Sequence, residues 1–278
     1  MDLWITEYQT PALGFSCKIN STLKIEQTPY QHLAVVDTQQ FGRMLLLDGM
    51  VMTTDVDEYV YHEMIINVAL NSHPNPENVL IIGGGDGGAL REAVRHPLVK
   101  KATLVEIDAQ VIEASREFFP QMSCAFENPK AQVIVEDGVK YVKDHVDEFD
   151  IIVVDSTEPV GPAIALFSSE FYKACAGALQ EDGMLVVQSE SPFFNRNVIE
   201  MAYTGISEHF PLAKLYLASI PTYPSGLWSF TIGSKRYDPE CPLCADYALK
   251  YYNPEVHRAA FVLPEMTREI LAGIGSGR

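Results

Sequence analysis

Four carboxylates fall at the ends of four consecutive β-like runs: Asp86 in the loop of VLIIGGGDGG, Glu106 in TLVEID, Asp137 in VEDG and Asp155 in VVDSTEP. In an open α/β sheet the ligand lies beyond the carboxyl ends of the strands, so these ends are where chemistry is expected. One acid at such a place usually does no more than cap the helix that follows. Four in succession point instead to a ligand rich in hydroxyls or positive charge. A fifth run, VVQSE, adds Gln188 and Glu190 as further candidate amine contacts.

The glycines Gly83, Gly85 and Gly88 fit the G-x-G-x-x-G spacing of a dinucleotide loop, with a strand before it and a helix after it. Glu106, 18 residues after Gly88, suits the ribose hydroxyls. Asp86 conflicts with a pyrophosphate, because a carboxylate inside a nest of backbone N–H groups repels a phosphate by several kcal/mol even at an effective dielectric near ~20. The ligand expected here is therefore a nucleoside without phosphates, carrying positive charge. S-adenosylmethionine has a sulfonium but also a carboxylate that Asp86 opposes. Its decarboxylated form keeps the sulfonium and a primary ammonium, and Asp86 attracts it.

These residues need a scaffold, and the hydrophobic pattern supplies one. From Phe15 to Thr54, β-rich runs alternate with turn signals at Asn20-Ser21, Thr28-Pro29 and Asp48-Gly49, which predicts a small antiparallel N-terminal β domain over residues 1–56. Asp55 or Asp57 then caps a helix running through Asn67. After Pro76 strands alternate with helices: Val79 to Ile82, Ala102 to Ile107, Gln132 to Val135, Asp150 to Asp155 and Met184 to Gln188, closed by a pair of strands at Lys214 to Ile220 and Leu227 to Gly233. That layout predicts an α/β fold for residues 57–278, a doubly wound, methyltransferase-like (Rossmann-like) seven-stranded sheet.

Composition narrows the partners. The 278 residues carry a formal charge of −17, which disfavours nucleic acid and favours cationic ligands. The N-terminus has neither a basic nor an apolar signal region, and the longest apolar runs are strand-sized, so no membrane span is expected. Five cysteines without a regular framework suit a reducing, cytoplasmic setting. The single C-x-x-C, Cys241 with Cys244, is weak evidence for zinc, and no metal is expected.

GGGDGG, EID at Glu106 to Asp108, EDG at Glu136 to Gly138, DSTEPVGPA at Asp155 to Ala163 and IPTYPSG at Ile220 to Gly226 together resemble the spermidine synthases, the aminopropyltransferases of polyamine synthesis. EQTPYQHL, FGRMLLLDGMVMTT and DEYVYHEM extend the resemblance over nearly the whole chain, with the bacterial members closer. It implies transfer of an aminopropyl group from decarboxylated S-adenosylmethionine, a co-substrate, to putrescine, with no cofactor. It implies that Gln31, Glu106, Asp137, Gly138 and Pro162 bind the methylthioadenosine part and that Asp86 takes the aminopropyl ammonium. His62, Asp155 and Glu158 would hold the polyamine, with Asp155 as proton acceptor and Tyr61 and Tyr223 flanking the attacking amine. Glu158 and His62 stand where many members carry aspartate and glutamine. The family's homodimers and homotetramers imply a homo-oligomer. Three rivals remain: a methyltransferase on the same sheet, disfavoured by Ile81-Ile82 where such enzymes place an acid; a non-catalytic polyamine binder; and an NAD enzyme. Trp4, a packing residue by default, could also cover the acceptor.

Overall fold

The computed structural model describes residues 2–159, 161–243 and 247–275. Its first sheet is a five-stranded antiparallel meander, β1 (Leu3–Thr10), β2 (Leu13–Gln27), β3 (His32–Thr38), β4 (Gly42–Leu47) and β5 (Met50–Thr54). The turn expected at Asn20-Ser21 is instead a pair of register shifts inside the long β2, between Ile19 and Ser21 and between Thr22 and Lys24. An extra residue on one strand can be absorbed as a bulge without ending the ladder, so turn-type residues do not by themselves break a strand. The expected turn at Asp48-Gly49 does form, with both residues at positive φ (50° and 82°), as a two-residue hairpin requires.

The second sheet has seven strands in the order β11-β12-β10-β9-β6-β7-β8. They are β6 (Asn78–Gly83), β7 (Lys101–Glu106), β8 (Ala131–Val135), β9 (Phe149–Asp155), β10 (Leu179–Gln188), β11 (Leu212–Ser219) and β12 (Leu227–Ser234). β6 to β10 run parallel, while β12 inserts antiparallel between β10 and β11. The fold is thus the seven-stranded mixed sheet with a small antiparallel β unit that the sequence predicts. β6 reads as an unbroken apolar run because both of its faces are covered. Val79 and Ile81 pack under Met64, Ile65 and Val68 of α1 (Glu58–Leu70) and Leu90 and Ala93 of α2 (Gly88–Arg95). Leu80 and Ile82 pack on the other face, against Phe171, Tyr172 and Cys175.

α3 (Ala109–Phe118) joins the two sheets, since its Val111 and Ala114 share a core with Leu33, Val35, Leu45 and Leu47 of the meander. Asp57 stands at the N-cap position of α1 without capping it. Its buried carboxylate accepts instead from Thr54 Oγ1 (2.5 Å), Thr222 N (3.0 Å) and Thr222 Oγ1 (2.7 Å), tying β5 to the β11–β12 connection. Asp57→Ala leaves the Thr222 donors buried and unpaired, and a loss of about 1–3 kcal/mol in stability is expected in denaturant titration. Glu63 likewise anchors the C-terminal segment by accepting the backbone N–H groups of Lys250, Tyr251 and Tyr252, each at 2.8 Å.

Candidate active site

The carboxyl ends of β6, β7, β9 and β10 open onto a cavity of about 450 Å3, closed from the opposite side by residues of β1, β4 and β5. That volume suits a nucleoside-sized ligand. β6 ends in two residues that must be glycine. Gly83 (φ 82°) brings its Cα so close to β9 that a Cβ would sit 2.2 Å from the Asp155 carbonyl oxygen. The backbone N–H of Gly84 then donates to that same carbonyl at 2.8 Å. The G-x-G-x-x-G spacing is therefore met for a reason other than phosphate binding: the loop is pressed against the strand that carries Asp155.

Asp155 is the centre of the cavity. Its Oδ1 accepts from the Tyr61 hydroxyl at 2.6 Å, and its Oδ2 is buried with no hydrogen-bond partner among the described residues. Burial, aided by the nearby Asp86, pushes its pKa up to about 6, while His62 and the Tyr61 hydroxyl pull the other way. Tyr61, on α1, has its own pKa raised well above the usual phenol value by burial and by Asp155, so it remains a donor. Tyr223 stacks obliquely on Tyr61 with ring centroids 5.4 Å apart, and its hydroxyl donates to the Met52 carbonyl at 2.6 Å. It thus lines the cavity with its ring and an oxygen that can still accept.

The nucleoside side is organised by Glu106. Burial pushes it up to about 7, although the backbone N–H of Asp108 donates to its Oε1 at 2.9 Å. Asp108 has two tasks. Its Oδ1 caps α3 through Gln110 N (3.1 Å), and its Oδ2 accepts from Thr28 Oγ1 (2.7 Å) and Gln31 Nε2 (3.0 Å). Gln31, from the meander, is held in this way at the edge of the cavity beside Glu106. Asp137 caps the helix Gly138–Lys143 through Val139 N at 2.8 Å and borders the cavity with Gly138. Pro162 belongs to the 3-10 turn Gly161–Phe167, but its side chain lies outside what the structure describes.

Asp86 lines the cavity as expected, with Oδ1 accepting from Gly88 N at 2.7 Å. His62 does not line it. Its ring sits behind Asp86 with Nδ1 2.7 Å from Glu58 and Nε2 3.3 Å from Asp86, so the direct polyamine contact expected of it does not fit this geometry. Glu158 does reach the cavity, raised by burial. Beside it are Glu190 after β10, one of the candidate amine contacts from the sequence, and Glu7 on β1, which the sequence did not single out. Burial is the main cause that pushes Glu7 up to about 7 and Glu190 up to about 8, with Glu158 adding repulsion to both. Glu190 Oε2 has no partner among the described residues, and its backbone is held at φ 67°, a strained value for a side chain with Cβ. Glu7 gave no sequence signal, since it sits in a polar-alternating strand far from the glycine loop. Trp4 is exposed and does not line the cavity, and the tryptophan that lines it is Trp228, whose Nε1 is buried and has no partner among the described residues. Cys241 is exposed, and Cys244, the other half of the C-x-x-C, lies outside the described residues.

Comparison with known proteins agrees with this arrangement. Residues 58–243 match a spermine/spermidine synthase domain, and residues 3–55 match a spermidine synthase tetramerisation domain. The chain belongs to the spermine/spermidine synthase family. Curated members of that family include a polyamine aminopropyltransferase of Desulforudis audaxviator, 54% identical over 95% of this chain and 97% of the relative. The polyamine aminopropyltransferase of Bacillus subtilis is 51% identical, covering 97% of this chain and 99% of its own. Among solved structures, a spermidine synthase in complex with the transition-state analogue AdoDATO superposes with a TM-score of 0.95 at 43% identity, covering 97% of this chain and 95% of that one. Spermidine synthase from Thermotoga maritima gives 0.92 at 42%, over 97% and 94%. As a family member the chain is a transferase, and no helix among its described residues is long and apolar enough to cross a membrane.

Proposed function

We propose that this family member transfers the aminopropyl group of decarboxylated S-adenosylmethionine to putrescine, forming spermidine and 5'-methylthioadenosine. The observation that carries the reading is the buried, unpartnered Oδ2 of Asp155 in a cavity that also presents Asp86. A carboxylate oxygen without a partner in a closed site is costly unless a ligand donor meets it.

The donor's ribose hydroxyls lie on Glu106, its adenine near Asp137 and Gly138, and its ammonium on Asp86. The acceptor's distal ammonium lies among Glu7, Glu158 and Glu190, with Trp228 and Tyr223 walling its methylene chain. The attacking nitrogen faces Asp155 Oδ2. Its lone pair forms the new C–N bond at the carbon beside sulfur, the C–S bond breaks, and the pair of electrons leaves on sulfur as a neutral thioether. That leaving group needs neither a metal nor a redox cofactor.

An alkyl ammonium with a pKa near ~10.4 costs about 4.6 kcal/mol to deprotonate at pH 7. Asp155 takes that proton, and holding nucleophile and electrophile in one geometry offsets much of the cost. The deciding experiment is product analysis by mass spectrometry with decarboxylated S-adenosylmethionine and a panel of putrescine, cadaverine, agmatine and spermidine. Spermidine from putrescine as the main product is expected, and turnover only with another amine reassigns the acceptor. Methylthioadenosine and decarboxylated S-adenosylmethionine are expected to raise the melting temperature by mass action, whereas NAD is not, because Asp86 opposes its phosphates. Equal stabilisation by NAD removes the argument from Asp86.

The homo-oligomer is part of the same proposal. β1 and β2, within the stretch matching a tetramerisation domain, leave Leu3, Trp4, Tyr8, Leu13, Leu23 and Ile25 exposed, apolar surface that suits contact with other copies.

A further inference from the structure

His62 is buried, and both of its ring nitrogens face carboxylates. Nδ1 is 2.7 Å from Glu58 Oε2 and Nε2 is 3.3 Å from Asp86 Oδ1. A neutral imidazole has one N–H and one lone pair, so one of these contacts would set a lone pair against a carboxylate oxygen. Only the imidazolium donates to both. The ring is also confined, because a Cβ on Gly88 would lie 2.2 Å from it.

Behind the histidine the charges alternate out to the surface. Glu58 is gripped by both terminal nitrogens of Arg91, each at 2.9 Å, Arg91 Nε donates to Glu92 at 2.7 Å, and Arg95 closes on Glu92 at 3.0 Å. Glu58 is therefore held low, at about 2, with His62 and Arg91 outweighing the opposing effect of burial. Burial disfavours charge on His62, but Asp86 and Glu58 hold its pKa well above the usual histidine value. The remaining groups facing this corner are Tyr61, edge-on at 5.5 Å, and Asp155, whose proton affinity His62 lowers.

We propose that His62 is a fixed internal cation, a positioning residue that serves as the counter-charge allowing Asp86 and Asp155 to share one buried site. Two carboxylates in a low-dielectric site without a cation retain a proton between them. A proton held on Asp155 blocks its role as acceptor. The His62 contact also engages Asp86 Oδ1 and leaves Oδ2, which has no protein partner among the described residues, for the donor's ammonium. This inference rests on the roles proposed above for Asp86 and Asp155.

Two measurements test it. The first is the 15N spectrum of the imidazole nitrogens in the ligand-free enzyme, which needs no turnover. Both His62 nitrogens are expected at imidazolium positions up to pH 8, and a neutral-tautomer pattern at pH 7 overturns the proposal. The second is kcat/KM for decarboxylated S-adenosylmethionine against pH at saturating putrescine, in wild type, His62→Gln and Glu58→Gln. Glutamine can still donate to Asp86 but carries no charge, so the acid limb is expected to rise by about one pH unit, the lower end of what an adjacent charge does. Glu58→Gln moves it in the same direction by less. The deficit of His62→Gln is then about fivefold at pH 6, approaches about tenfold below it and shrinks toward pH 8. A loss by the same factor at every pH marks a merely structural residue and overturns the proposal. If wild type turns over none of the diamines, the functional reading fails, and the 15N spectrum still decides the charge on His62.

Discussion

Asp155→Asn is expected to lower kcat by about 10²- to 10⁴-fold, the range for loss of a general acid–base group. Asparagine keeps the size of the side chain and can still pair with the Tyr61 hydroxyl, 2.6 Å from Oδ1, but it cannot take the amine's proton. Nucleoside affinity should survive, because Glu106 and Gln31, which line the cavity, are left unchanged. The pH dependence has a definite sign. Burial and Asp86 raise Asp155 to about 6, so the carboxylate is available above that pH and is lost as pH falls through it. Wild-type kcat/KM for the donor at saturating acceptor should therefore fall on the acid side, and the asparagine variant should lack that limb. On the alkaline side solution supplies more neutral amine, so the variant's deficit should narrow toward the amine pKa. A kcat near wild type at pH 7.5 means that Asp155 is not the base. A large deficit independent of pH means that it positions the amine without taking its proton.

Asp86→Asn is expected to weaken decarboxylated S-adenosylmethionine by about 2–5 kcal/mol, the cost of removing one partner from a buried, hydrogen-bonded charge pair. Binding of S-adenosylmethionine itself should improve or stay unchanged, since the substitution also removes repulsion of its carboxylate. The ratio of the two affinities is thus the informative quantity, and it should shrink by at least about tenfold, or about 1.4 kcal/mol. Calorimetric titration of both ligands reads it directly. An unchanged ratio places selectivity elsewhere in the cavity. Because His62 donates to the same carboxylate, the neutral amide also loosens that histidine, and the imidazole 15N spectrum of the variant reports how far.

The acids at the strand ends were legible in the sequence because a parallel strand has a fixed direction. Once β6, β7, β8 and β9 are recognised as strands, their carboxyl ends must share one edge of the sheet, so Asp86, Glu106, Asp137 and Asp155 were bound to meet near one crevice. The direction of a conflict was legible too, since a carboxylate at Asp86 argues against phosphate wherever the loop points. Tyr61, Tyr223 and Gln31 entered only through family resemblance, because an aromatic or an amide in isolation carries no spacing signal.

Other features were decided by tertiary contact alone. Asp57 and His62 have the residue types of a helix cap and a ligand, yet one ties β5 to the β11–β12 connection and the other sits behind Asp86. Whether a polar side chain faces ligand or protein depends on what packs beside it, and that partner can lie far along the chain, as Thr222 does, 165 residues from Asp57. Glu7 shows the same limit. Its role at the acidic end of the cavity depends on the meander closing over the strand ends of the larger sheet, through the core that α3 shares with β3 and β4. Sequence periodicity sets which face of a strand is apolar, but the docking of one sheet on another is set by long-range burial, and only that docking brings Glu7 into the cavity that holds Asp155.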